Sequence, residues 1–339
     1  PMPSLTPNVR AAVLSSYSDV AQSLGCSPPS LLDRFGIPRR ALAHPEQMLN
    51  SDHVVALLNE TARMSECESI GLRLAERWNL SNLGAISLLI SQQNTLEDAL
   101  KTVIRYQHFL NEAVHLRIEN SGSTSLLKVD VFSATAMPLR QANELALAVL
   151  VKLCRCIVEP NWRPWRVDFM HAPPKDIQPA QRFFACRVNY NAECNAVVFQ
   201  TSDLRTRNPL SNPDMIGLAH RLMEDIYADR VDATVHRVRS MIYALLPTGR
   251  SCINQIAQAM CMETRTLQRR LAACGWIYSD LVNKVRRSLA LHYVSELNYS
   301  FVEISAMLGF ASQSSFTRWF IAQYEAPPSS WRRHRRVPQ

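Results

Sequence analysis

The spacing of apolar and polar positions changes twice along this chain of 339 residues. From Asn8 to about Arg77 the apolar residues recur at helical intervals, around a loop rich in Pro and Gly. One run places its apolar or small residues on a single helical face: Val54, Leu57, Leu58, Thr61 and Ala62. A second helical run, residues 95–113, follows Asn94, which stands at an N-cap or N′ position.

The period then shortens to two residues. Residues 114–120 and 125–133 alternate apolar with polar positions around "SGST", which predicts a β-hairpin. The elements predicted after it are an apolar helix at 141–159, a strand at 165–173, a short helix at 179–186, and strands at 187–191 and 195–201. The pattern predicts an α+β domain with a small, mostly antiparallel sheet.

From Thr234 onward only helical periodicity occurs, which predicts an all-α C-terminal domain. A stretch rich in Pro, Asn and Ser, followed by an amphipathic helix over residues 215–228, separates the two parts. We therefore expect a regulatory domain at 1–208, a linker helix within 209–233 and a C-terminal domain at 234–339.

The C-terminal part repeats one motif, at about residues 251–275 and 300–324. In the second copy Ser300 and Glu303 form a capping box, Gly309 ends a short helix, and Ser312 begins another. Phe316, Phe320 and Tyr324 recur at four-residue spacing and are expected to be buried. The residues expected to face outward are Gln313, Ser314, Thr317 and Arg318.

The first copy follows the same plan, with Ser251 as the expected cap and Gly275 at the end. Leu267 and Leu271 occupy the buried face of its second helix, and Arg265, Gln268 and Arg269 lie opposite. Two amphipathic helices joined by a turn are also ordinary core architecture, so one copy alone has little weight. Two copies joined by a long helix, residues 278–298, indicate a pair of helix-turn-helix motifs whose second helices read adjacent major grooves of double-stranded DNA.

The charge distribution favours the same partner. Residues 234–339 contain 14 Lys and Arg against 5 Asp and Glu, a net +9. The rest of the chain contains 23 against 24, a net −1. A solvated basic face would give the same count, but 13 of the 14 cations are Arg, which forks to phosphate and guanine better than Lys does.

These residues resemble the AraC/XylS family of bacterial transcription regulators, through "TRTLQRRL", "EISAMLGFASQSSFTRWF" and the closing "PPSSWR". The resemblance implies that bases are read by eight residues: Arg265, Thr266, Gln268, Arg269, Gln313, Ser314, Ser315 and Arg318. Two departures stand out, since Glu263 replaces a frequent capping Ser and Glu325 a frequent Gly. The N-terminal part resembles the arabinose-binding-like effector domain of the same family, through "LGAISLLISQQNTLEDALKTVIRYQHFL" and "FFACRVNYNAECNAVVF".

An effector pocket would recruit aromatic and cationic side chains, for which the candidates are Trp78, Arg105, Tyr106, Trp162 and Trp165. The alternative is that the tryptophans are packing anchors and Arg105 lies on a solvated helix face. No cofactor is expected, because the glycine-rich phosphate loops and nucleophile elbows have no counterpart in the sequence. Neither is a metal, because no C-x-x-C pair occurs and no His or Cys stands four residues from His108 or His115.

The sequence therefore predicts a cytoplasmic DNA-binding activator, not an enzyme, controlled by a small organic effector in its N-terminal domain. No run of apolar residues is long enough to span a membrane. Cys154 and Cys156, the closest pair among the nine cysteines, are expected to be free thiols and to act as small core hydrophobes. RNA polymerase is a further expected partner, and the sequence leaves open whether the chain forms a homodimer. The alternatives are a regulator controlled by a protein partner and an enzyme tethered to DNA.

Overall fold

A computed structural model describes residues 7–133, 135, 137–228, 233–246, 251–260, 262–295 and 299–334. The chain divides into two compact units between residues 226 and 227. The helices of the first unit are α1 (Tyr17–Ser23), α2 (Pro28–Arg34), α3 (Ser51–Met64), α4 (Ile70–Glu76), α5 (Ile86–Ser91), α6 (Leu96–Leu110), α7 (Arg140–Ile157), α8 (Gln178–Phe184) and α9 (Pro213–Ala228). Its strands are β1 (Asn8–Arg10), β2 (Met48–Asn50), β3 (Val114–Ser121), β4 (Thr124–Val131), β5 (Arg166–Asp168), β6 (Arg187–Asn189) and β7 (Ala196–Gln200).

Five of these strands form one sheet in the order β3-β4-β7-β5-β6. β3 and β4 are the predicted hairpin, with Gly122 in the left-handed region at φ +61° in the turn. All neighbours are antiparallel except β5 and β6, which run parallel. The prediction of a small, mostly antiparallel sheet among helices is thus confirmed.

The prediction of purely helical structure before Arg77 is wrong at two places. β1 and β2 pair antiparallel, with Val9 opposite Leu49, and form a separate two-stranded sheet. Each strand has only three residues, so alternation over so short a run is indistinguishable from a helical spacing. Val9 also forms an isolated bridge with Asn111, which places β1 between β2 and the end of α6.

Long amphipathic helices cover the first unit's core. On α3, Val54, Leu57, Leu58 and Thr61 are buried as predicted, while Ala62 is half-buried. α6 begins after Thr95, whose hydroxyl accepts a hydrogen bond from Asp98 N at 3.2 Å, so Asn94 occupies the N′ position. The side-chain cap satisfies one of the backbone N–H groups that a helix start leaves without a partner.

α7 buries one side along its whole length, from Gln141 to Ile157. Its Cys154 is fully buried, and burial raises the pKa of that thiol to about 12, as expected of a small core residue. Cys156 is exposed, so its assignment to the core is wrong. Two residues along a helix rotate the side chain by about 200°, which carries Cys156 to the opposite face.

The described residues of the second unit form helices and no strand, as the periodicity predicts. The helices are α10 (Ala233–Leu245), α11 (Ile253–Ala259), α12 (Thr264–Ala273), α13 (Tyr278–Ser295), α14 (Phe301–Met307), α15 (Gln313–Tyr324) and α16 (Pro328–His334). α13 is the predicted long helix and packs against α10, α14 and α16. Its buried face carries Leu281, Val285, Leu289 and Tyr293. Residues 296–298 of the expected helix lie outside the described residues.

The linker helix expected within residues 209–233 corresponds to α9. Residues 229–232 lie outside the described part of the chain, and α9 up to Ile226 belongs to the first unit. Three of its apolar side chains, Met215, Leu218 and Leu222, are more than 40% exposed. Across the described residues, no helix is both long enough and apolar enough to cross a membrane.

Candidate nucleic-acid interface and ligand cavity

α11 and α12 form the first of two helix pairs in the second unit. Leu267 and Leu271 of α12 are buried, whereas Arg265 and Gln268 on its other side are exposed. Arg269 is exposed as well, and Thr266 is half-buried. Because a helix advances 100° per residue, anchoring positions 267 and 271 in the core directs these polar side chains outward.

The start of this pair differs from the sequence-based expectation. α11 begins one residue later than expected, with Cys252 at the N-cap and its N–H bonded to Gln255 Oε1 at 3.3 Å. Ser251 is therefore not the cap, and its carbonyl accepts a hydrogen bond from Tyr278 Oη at 2.6 Å. Glu263 occupies the N-cap of α12 without a side-chain bond to the helix.

α14 and α15 form the second pair, and here the predicted caps are present. Ser300 Oγ accepts from Glu303 N at 3.2 Å, while Ser300 N donates to Glu303 Oε2 at 2.7 Å. Ser312 Oγ accepts from Ser315 N at 3.2 Å and begins α15. Gly309 has φ +67°, the left-handed conformation that ends a helix at little cost for glycine.

α15 has the same two-sided character as α12. Phe316 and Phe320 are fully buried, and Gln313, Ser314 and Arg318 are exposed. Ser315 is half-buried, with its hydroxyl 3.0 Å from Ser312 Oγ. The step from a buried apolar residue to an exposed arginine two residues later thus occurs in both helices, at Leu267 to Arg269 and at Phe316 to Arg318.

Five exposed side chains of α12 and α15 form no ion pair or hydrogen bond within the described part of the chain. Arg265, Arg269 and Arg318 form no ion pair there, and the side chains of Gln268 and Gln313 form no hydrogen bond. Five donor-rich side chains are therefore available to an outside partner. An arginine fork matches phosphate oxygens or the O6 and N7 acceptors of guanine, and a glutamine amide matches adenine.

The effector candidates of the first unit do not come together in the structure. Trp78 lines a cavity, but Arg105, Tyr106 and Trp165 do not. The Arg105 guanidinium lies 5.5 Å from the ring centre of its neighbour Tyr106, and Trp165 is 55% exposed. Trp162 is a buried anchor whose Nε1 donates to Asp203 Oδ2 at 3.2 Å.

The cavity has a volume of about 180 Å³ and lies between α3, α6, α7 and β1. Sequence reasoning missed the residues that give this cavity its polar character, namely Arg10, Ser51, Gln107 and Asn111. The signal available was a polar residue on an otherwise apolar helical face, as at Gln107 of α6. Elsewhere in the described residues, no group of three or more His, Cys, Asp or Glu side chains is placed to hold a metal ion.

The second unit presents two polar, arginine-bearing helix faces, and the first is an α+β unit that contains a cavity; the helical unit has the features of a DNA-binding transcription regulator. Residues 25–208 match the family described as the arabinose-binding domain of AraC transcription regulator, N-terminal. Residues 256–334 match a helix-turn-helix domain family. The chain belongs to the AraC family of transcription regulators, and its likeness to that family extends over both units.

Several regulators are similar to this chain over almost their whole length, and one is similar over a shorter segment. The HTH-type transcriptional regulator VirS of Mycobacterium tuberculosis is 28% identical over 324 residues, which cover 92% of this chain and 94% of VirS. The ornithine utilization regulator of Pseudomonas aeruginosa is 24% identical, over 96% of both chains. The urease operon transcriptional activator of Escherichia coli is 34% identical over 80 residues, 24% of this chain and 27% of its own.

Proposed function

We propose that this protein is a sequence-specific activator of transcription that reads two adjacent major grooves of DNA through α12 and α15. The observation that carries the proposal is the matched arrangement of the two helices. Each buries two large apolar residues four positions apart and presents an unpaired arginine, Arg269 or Arg318, two residues after the first of them. A pair of helices used only for packing has no need of such faces.

In this proposal α13 sets the distance between the two readers. Its 18 residues span about 27 Å at 1.5 Å per residue, which is close to one turn of B-form DNA, about 34 Å. The bases would be contacted by Arg265, Thr266, Gln268 and Arg269 in one groove and by Gln313, Ser314, Ser315 and Arg318 in the next. The net charge of +9 in residues 234–339 supports affinity for the phosphate backbone.

The proposed division of labour follows the domain boundaries expected from the sequence. Residues 1–208 would bind a small organic effector, residues 209–233 would transmit the signal, and residues 234–339 would bind DNA and meet RNA polymerase. Activation is supported by the role of the urease operon transcriptional activator of Escherichia coli, which is similar to this chain over 80 residues. The protein would act in the cytoplasm, where DNA and polymerase are found.

Sequence-specific DNA binding is tested by measuring the affinity of the full-length chain for genomic DNA fragments at two salt concentrations. Sequence-specific binding should single out a few fragments at both concentrations, with all affinities falling as salt rises. Equal, weak binding to every fragment, with and without candidate effectors, would contradict the proposal.

A second candidate, control by a protein partner rather than a small molecule, is favoured by one observation. Met215, Leu218 and Leu222 lie at three- and four-residue spacing along α9 and are more than 40% exposed. An exposed apolar stripe of this kind suits a partner helix or a second copy of the chain. The two candidates are distinguished by ligand-induced stabilisation, because only the effector-controlled protein should melt at a higher temperature with a small molecule bound.

A further inference from the structure

The cavity of the first unit carries an inference about the chemistry of the effector, and this inference rests on the proposed control by a small molecule. Of its 28 lining residues, 21 are Ala, Val, Leu or Trp, and the remaining seven are polar or charged. α7 contributes aliphatic side chains alone, including Ala146, Val149 and Leu153. A wall of this composition excludes a sugar or a zwitterionic amino acid, whose many polar groups would lose their hydration without replacement.

Three polar groups in the wall lack hydrogen-bond partners. Ser51 Oγ is buried and unpaired. Gln107 is 8% exposed, and its Oε1 accepts from Leu116 N at 2.8 Å, while its Nε2 has no partner among the described residues. Asn111 has the same asymmetry, because its Oδ1 accepts from Ala113 N at 2.8 Å and its Nδ2 is unpaired in the described chain. Ser51 Oγ is fully buried, and a buried polar group without a partner costs about 1 to 3 kcal/mol, so it favours a ligand that pairs with it. The two amide N–H groups are available as donors to the same ligand.

These groups belong to one region of the cavity. β1 pairs with β2, which ends next to Ser51, and bridges to Asn111 on its other side. Gln107 lies one helical turn before Asn111, and its carbonyl accepts from Asn111 N at 2.8 Å. Two amide N–H groups and a hydroxyl therefore flank the same short strand, and the amide groups fix the polarity of the site as donating.

The charges nearby disfavour an ionised ligand. Arg10 lines the cavity, but its guanidinium is engaged by the Glu46 carboxylate and by the Asn82 carbonyl at 3.1 Å. Among the described lining residues Arg10 is the only cation, so an anionic ligand would meet no free cation in the wall, and an ammonium group would meet the N–H donors of Gln107 and Asn111.

We propose that the cavity binds a neutral, mainly hydrocarbon molecule with a single carbonyl or hydroxyl oxygen, which accepts hydrogen bonds from Gln107 Nε2 and Asn111 Nδ2. A cavity of 150 Å³ in another protein holds benzene, so a volume of about 180 Å³ suits roughly six to ten non-hydrogen atoms. Small ketones, esters and alcohols meet these requirements.

The test uses the full-length chain without DNA and four probes: 2-heptanone, heptanoate, L-arabinose and L-ornithine. Titration calorimetry should show saturable binding of 2-heptanone and no saturable binding of the other three. Binding of arabinose, ornithine or heptanoate in preference to the ketone would overturn the assignment. Because DNA is absent, this result is independent of whether the protein recognises an operator.

Two variants locate the site. Gln107→Glu keeps the oxygen that accepts from Leu116 N and replaces the free donor by a second oxygen, so the ketone should bind at least about tenfold more weakly. Ala146→Leu fills the cavity from α7 and should abolish ketone binding while keeping the melting temperature at or above that of the parent. If Ala146→Leu raises the melting temperature and no probe binds the parent chain, the cavity is a packing void and the proposal fails.

Discussion

The guanidinium of Arg286 lies 4.4 Å from the ring centre of Phe310. The same group donates from Nε to the Leu308 carbonyl at 2.9 Å and from Nη2 to the Gly309 carbonyl at 3.1 Å. One side chain of α13 thus caps the end of α14 and stacks on an aromatic residue within the turn that leads to α15. Burial lowers the pKa of Arg286, but its two carbonyl partners and the aromatic face compensate for lost water.

Replacement of Arg286 should loosen the turn before α15. Arg286→Lys keeps the charge but cannot fork to two carbonyls, so we expect a loss of about 1 to 2 kcal/mol in the free energy of unfolding. Arg286→Ala removes both hydrogen bonds and the contact with the Phe310 ring and should cost more. Calorimetric unfolding of the full-length chain measures both, and equal stability of the lysine variant and the parent would refute the fork.

Arg318→Ala should separate base reading from phosphate binding. If Arg318 forks to a guanine, the variant loses about 1 to 3 kcal/mol of binding free energy and its preference at one base position. If Arg318 contacts only phosphate, affinity falls evenly across sequences and the salt dependence weakens by about one charge. Binding to a set of operator variants distinguishes the two, with Arg182→Ala, an exposed arginine of α8, as the matched control.

Glu325→Gly should stabilise the second unit. Glu325 ends α15 with φ +56° and ψ +13°, a left-handed conformation that costs a residue with a Cβ about 1 kcal/mol relative to glycine. For a unit of about a hundred residues, this gain raises the melting temperature by about 4 to 8 °C. Glu325→Ala is the control, because alanine also carries a Cβ and should bring none of the gain that glycine brings at this left-handed position.

His115→Gln should make the free energy of unfolding less dependent on pH between pH 7 and pH 5. Burial, partly offset by Asp130, lowers the pKa of His115 to about 4, against about 6.5 in an unfolded chain. Between about pH 6.5 and pH 4 the imidazole of His115 is protonated in the unfolded state but not in the folded state. The free energy of unfolding therefore decreases as the pH is lowered over this range, by at most about 1.4 kcal/mol per pH unit. Urea unfolding at pH 7, 6 and 5 measures the slope.

The variant should lose less stability over that range than the parent protein. The same substitution at the exposed His44 serves as the control. An unchanged slope for His115→Gln would show that His115 takes up its proton equally in both states.

Sequence patterns predicted the long elements and the outward-facing residues of α12 and α15 because both depend on local spacing. Leu267 and Phe316 had to be buried once their helices were recognised, which fixed the outward position of Arg269 and Arg318. The caps at Ser300 and Ser312 were equally local. The cavity was not predictable in this way, since it joins Arg10, Ser51, Gln107 and Asn111 from separate elements. Contacts between residues about a hundred positions apart leave no trace in a periodicity.

The unpaired side chains of α12 and α15 have a consequence for how such a protein changes over time. Arg265, Gln268, Gln313 and Arg318 support no contact within the described structure, so their replacement leaves the buried anchors Leu267, Leu271, Phe316 and Phe320 intact. Under the proposed function, operator preference can therefore change one exposed position at a time, without passing through a sequence that fails to fold. The residues that would select the DNA sequence are then separate from those that keep the protein folded.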